Sequence, residues 1–131
     1  MRRWQAPCAL LLFVALCSAI GWGRAAAAGA ASDVTISLIG VQFAPPVFVV
    51  RPGSTVTWAN TSGVFHSVVA DDGSFSSGAP SGSFTFSHQF DTAGTYRYYC
   101  SVHGGIGGVG MSGTIIVTAE QSVYIPIVGN G

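Results

Sequence analysis

The chain has 131 residues, a formal net charge of zero and almost half hydrophobic residues, enough for one domain with a modest core. All five basic residues are arginines and three of them lie in the first 24 positions, so no basic stripe exists for a phosphate backbone to bind. This excludes nucleic acid as a partner.

The N-terminal segment sets the compartment. Arg2 and Arg3 precede an apolar run from Ala6 to Ile20, and a small-residue tract, RAAAAGAASD, follows. This pattern reads as a secretory signal peptide over residues 1–31, cleaved between about Ala27 and Ala31, with an uncleaved membrane anchor as the alternative. Cys17 follows Leu16, too bulky for a lipoprotein cleavage position, which argues against a lipid anchor there. Cleavage removes Cys8 and Cys17 and leaves Cys100 as an odd thiol in an exported protein, the mark of a reactive or metal-ligating cysteine. The exported part carries Arg51 and Arg97 against five carboxylates, Asp33, Asp71, Asp72, Asp91 and Glu120, and is mildly acidic.

Strand patterns then follow in order. DVTISLI (33–39) alternates polar and apolar residues, and Val47–Val50 is a short apolar run stopped by the turn Arg51-Pro52-Gly53. STVTWA (54–59) alternates with β-forming residues, and 60–63 is a turn. His66–Ala70 reads as a strand and 74–82, rich in serine and glycine, as a loop. SFTFSH (83–88), TYRYYC (95–100) and GTIIVT (113–118) complete the set. Tyr96 and Tyr98 share one face of their strand, Arg97 and Tyr99 the other. The expected fold is all-β: an antiparallel β-sandwich forming one domain over 32–119. EQSVYIPIVGNG (120–131) reads equally as an edge strand or as a tail, processed or part of a surface-attachment signal. Pro126 excludes a central strand.

The chemistry gathers near one end of that sandwich. Cys100 and His103 stand at a strand end, and a glycine-rich loop, GGIGGVG, leads to Met111. His66 lies near an earlier strand, and loops of a sandwich cluster at its ends. Two imidazoles, a thiolate and a thioether are the donors of a blue-copper electron-transfer site, with the thioether axial and weak. Zinc with Cys and two His ranks lower, because no carboxylate or second base stands beside the ligands. An enzyme is not expected. His88, in the turn region SHQFDTAG, is expected to be exposed, and Asp71-Asp72 to be a solvated turn. Pro45, Pro46, Val64, Phe65, Ile106 and Val109 are expected to form an apolar docking patch near His103.

Three stretches, TVTWANTSGVFHSVVADDG, FTFSHQFDTAGTYRYYCSVH and GMSGTIIV, together resemble the plastocyanin-like blue copper proteins, the cupredoxins. The resemblance implies a Greek-key β-sandwich with one type 1 copper held by His66, Cys100 and His103 with Met111 axial. It implies a monomeric carrier of single electrons between larger redox partners that dock transiently near His103. Export places it in the periplasm or at the cell surface, with peripheral membrane association open. Two alternatives remain: copper storage or delivery outside the cytoplasm, and a metal-free surface sandwich. Three departures from the family pattern stand out: a longer His103–Met111 stretch, Ser67 where plastocyanins usually place asparagine, and a weak acidic face limited to Asp71 and Asp72.

Overall fold

A computed structural model describes residues 30–119. The expected signal segment up to residue 29 and the C-terminal segment 120–131 lie outside the described residues. Eight strands form two four-stranded sheets. They are β1 (Val34–Ile39), β2 (Gln42–Ala44), β3 (Val47–Val50), β4 (Ser54–Asn60), β5 (Val69–Ala70), β6 (Phe84–Phe90), β7 (Gly94–Gly105) and β8 (Val109–Val117). One sheet has the order β2-β1-β4-β6 and the other β3-β8-β7-β5.

Alternation decides the core. Along β4, Ser54, Val56, Trp58 and Asn60 all point inward, and along β8 Met111, Gly113, Ile115 and Val117 do the same. Trp58 is wholly buried and stacks on Phe75 and Phe86, with Tyr98 edge-on at 5.2 Å. Of the two tyrosines that share a face, Tyr98 is in the core. Tyr96 is half-buried, and its hydroxyl donates to the Thr92 carbonyl at 2.8 Å. Cys100 and Met111 belong to this same inward-facing cluster, so the ligand end of the sandwich is an extension of its core.

The sheets are not purely antiparallel. β1 runs parallel to β4, and β3 runs parallel to β8. Alternation specifies the face a residue takes but not the direction of the neighbouring strand. Two other expectations change. His66 is not in a strand: it forms an isolated bridge with Ser81, and β5 covers only Val69–Ala70. His88 is half-buried rather than exposed, stacked on Phe75 at 4.7 Å and edge-on to Phe90 at 4.8 Å. It shares the inward face of β6 with Phe84, Phe86 and Phe90.

Candidate metal centre

The β4–β5 connection is built around Asn60, a fully buried polar residue. Its Nδ2 donates to the carbonyls of Val64 (2.9 Å) and Ser81 (2.8 Å). Its Oδ1 accepts from the Ser62 hydroxyl (2.7 Å) and the Ser62 N–H (3.2 Å). The turn so fixed ends at His66, whose N–H and carbonyl both bond to Ser81. The His66 ring is thereby delivered, fully buried, to the inner end of β7.

The β7–β8 hairpin supplies the other donors. Tyr99 pairs with Ser112, and the next pair is Gly104 with Gly110. Four residues, Cys100 to His103, therefore arch opposite Met111 alone. This bulge turns Cys100 and His103 toward one point and sets Met111 across from them. The extra length between His103 and Met111 does not widen the arch. It is taken up by a paired hairpin end, with Gly105 opposite Val109 and a turn over 106–108. Glycine is required where the two arms cross. A Cβ on Gly104 would strike the Met111 and Val109 carbonyls, and one on Gly110 would strike the His103 carbonyl at a φ of +63°. The expected glycine loop is thus a strand hairpin closed tightly enough to exclude side chains.

Three donor atoms converge. The Cys100 Sγ lies 3.7 Å from His66 Nδ1 and 3.6 Å from His103 Nδ1. The donor atoms of His66, Cys100 and His103 all fall within 4.8 Å of one another. A metal bonded at about 2.0–2.1 Å to nitrogen and about 2.3 Å to sulfur, with angles between tetrahedral and trigonal, separates N and S by about 3.6–3.8 Å. The donor set therefore fits a metal ion, and its soft sulfur and two imidazoles suit copper. Burial, and then the neighbouring His103, hold the His66 imidazole below its usual pKa, while the Gly40 carbonyl acts weakly the other way from outside hydrogen-bonding geometry. A lowered pKa keeps the ring neutral, the state that binds metal.

Around the sulfur, the Ser67 N–H approaches Sγ at 3.5 Å. Ser67 Oγ also accepts from the Ser101 N–H (3.0 Å) and pairs with the Ser101 hydroxyl (2.7 Å). Serine at 67 therefore ties the His66 segment to the strand carrying Cys100 despite its short reach. Ser101 helps to position the site and had no role assigned from sequence. It carried no signal of its own. Asp71 also does more than solvate a turn: its Oδ2 accepts the Gly107 N–H at 2.9 Å. Five of the exposed apolar residues flank the donors in sequence. Val64 and Phe65 precede His66, Val102 precedes His103, and Ile106 and Val109 follow it. Pro45 and Pro46 line a hollow together with Gly110 and Met111.

Residues 30–118 match the copper binding proteins of the plastocyanin/azurin family. Plastocyanin of Scenedesmus fuscus is 37% identical over 100 residues, covering 65% of this chain and 99% of that protein. The chloroplastic plastocyanin of Tetradesmus obliquus is 36% identical over 81 residues, covering 52% of this chain but only 54% of its own length. Among solved structures, a purple cupredoxin from Nitrosopumilus maritimus superposes with a TM-score of 0.54 at 26% identity, covering 66% of this chain and 100% of that one. With the two-sheet architecture and a donor set that suits copper, these similarities make the chain a member of the plastocyanin/azurin family of blue copper proteins, the cupredoxins, with one type 1 copper as its cofactor.

Proposed function

We propose that this protein is an exported electron carrier whose copper is held by His66, Cys100 and His103, with Met111 as the weak axial ligand. Bound copper supplies one-electron Cu(I)/Cu(II) chemistry. The chain supplies the rest. The arch of β7 and the Asn60-built turn hold the three donors in a rigid, mostly dry frame, which keeps reorganisation small. Of the three, only His103 is partly exposed, and it is the route by which an electron leaves.

The observation that carries this reading is the closed donor set: Cys100 and His66 have no exposed surface. A storage or delivery protein needs ligands that an acceptor can reach and exchange. Here the partly exposed donor is His103, and apolar residues that flank the donors in the chain, among them Phe65, Ile106 and Val109, are each more than 60% exposed. Such a surface suits brief docking of a monomer to larger redox proteins. Residues 1–31 direct export to the periplasm or cell surface, 32–119 form the copper domain, and 120–131 a C-terminal tail or edge strand. This reading needs no substrate site, so the protein acts as a carrier and not as an enzyme.

The test is the visible spectrum of the exported domain on adding Cu(II), followed by cycles of ascorbate and ferricyanide. An intense thiolate-to-copper band that bleaches and returns, and is missing from a folded Cys100→Ser variant, supports the assignment. A colourless protein with stoichiometric copper supports metal handling instead. Full colour in Cys100→Ser removes Cys100 from the ligand set.

A further inference from the structure

The hairpin end between His103 and Met111 is poorly tethered by its own composition. Five of the seven residues from Gly104 to Gly110 are glycines, and Gly107 and Gly108 both sit at φ +84°. Glycine in that region has the largest conformational entropy to lose on ordering. The same end carries Ile106 and Val109, both strongly exposed. Among the described residues, one hydrogen bond joins the turn 106–108 to anything outside the hairpin: the Gly107 N–H donating to Asp71 Oδ2 at 2.9 Å.

Asp71 is well placed to hold that turn. It directly follows β5, whose Ala70 pairs with Tyr98 of β7, and its own N–H donates to the Arg97 carbonyl at 2.9 Å. The next residue, Asp72, accepts the Ser74 N–H, and Gly73 N–H closes back on the Ala70 carbonyl. The turn beneath the carboxylate is therefore fixed from both sides. Arg97 lines the same surface groove as Asp71 but forms no ion pair with it, so the carboxylate remains available to the amide.

We infer that Asp71 is a positioning residue for electron transfer: its carboxylate clasps Gly107 and holds the glycine hairpin against the β5 edge, presenting Ile106 and Val109 to a partner in one arrangement. The inference rests on the electron-carrier reading and adds a residue to it. A surface that is ordered before docking does not lose that entropy during the encounter. Asp71 touches neither the donors nor the core, so the clasp acts on the docking surface and not on the ligand set.

Two substitutions separate a clasp from a charge. Asp71→Ala removes both the acceptor and the charge, whereas Asp71→Asn keeps an acceptor oxygen and removes only the charge. Two readouts use the protein itself: 15N relaxation of residues 105–109 in the Cu(I) form, and the electron self-exchange rate in mixed Cu(I)/Cu(II) samples, which needs no identified partner. In Asp71→Ala the backbone order parameters of the turn fall from about 0.85 toward 0.6 or below. Self-exchange slows about tenfold, since small misplacements at a reacting surface have effects of that order or larger. The visible band keeps its position and intensity, and Asp71→Asn restores both order and rate. A rigid turn in Asp71→Ala, or a wild-type rate with a mobile turn, overturns the inference. Equal slowing in Asn and Ala assigns the effect to charge and also overturns it. A wild-type protein with no thiolate–copper band instead overturns the electron-carrier reading, a result distinct from a blue protein indifferent to residue 71.

Discussion

Single residues carry most of the chemistry, and two of them give predictions at that scale. Met111 is almost fully buried and faces the arch of Cys100–His103. A thioether donor there favours the higher charge state of the metal, so Met111→Leu is expected to keep the blue band and shift the reduction potential upward, as read by spectroelectrochemical titration. An unchanged spectrum and potential would remove Met111 from the ligand set. Tyr98 gives a pH prediction. Burial pushes its hydroxyl pKa up to about 12, offset in part by the Trp58 indole. In the unfolded chain the same group releases its proton near pH 10. Between the two values the unfolded state binds fewer protons than the folded state, so stability is intact below about pH 10 and falls as pH rises toward 12. The loss across that window is about 2–3 kcal/mol. Denaturation midpoints measured from pH 9 to 12 should show it, and Tyr98→Phe should flatten that part of the profile.

Local elements explain why the site is rigid. The Asn60 turn and the β7–β8 bulge are separate devices, one made of side-chain hydrogen bonds and the other of strand register. Both were partly visible in sequence. The turn at 60–63 before His66 and the Cys100…His103…Met111 order mark the segments, but neither shows that four residues would oppose one across the hairpin. That mismatch resolves the long His103–Met111 stretch, because paired glycines consume the extra residues. The Asn60 device is directly testable. Asn60→Ala deletes four hydrogen bonds and strands the carbonyl partners in a partly buried turn. It is expected to cost about 2–4 kcal/mol, seen as a lower urea midpoint with an unchanged slope. Copper affinity should fall with it, since the same turn delivers His66. An affinity unchanged despite lost stability would show that the His66–Ser81 bridge alone suffices to place the ring.

For the whole molecule, the ligand end and the hydrophobic core are one structure. Cys100 and Met111 pack in the same cluster as Ile36, Trp58, Tyr98 and Ile115, and the described part of the chain has no disulfide to staple it. Metal binding and folding are therefore linked, because the donors converge only when both sheets are packed. Copper at about a thousand times its dissociation constant should add about 4 kcal/mol of stability. For a domain of this size that is roughly 15–30 °C in melting temperature. Calorimetry of the copper-loaded and chelator-stripped protein checks this, and Cys100→Ser should lose most of the gain. Equal melting temperatures with and without copper would mean the donors do not hold the metal as assigned.

Local chemistry was readable in the sequence because it is written in residue type and order. The alternating and apolar runs marked seven of the eight strands, with His66–Ala70 largely loop, and the residue types Cys, His and Met marked the candidate donors, of which the fold brings those of His66, Cys100 and His103 within 4.8 Å of one another. The short β2, at three residues, is below the length at which alternation gives a signal. Strand direction, the burial of His88 and the clasp between Asp71 and Gly107 depend on which distant segments become neighbours. Residues 36 positions apart meet there, and no local pattern encodes such a meeting. It arises when two sheets bury their apolar faces together and each turn takes the hydrogen-bond partners that this packing leaves within reach.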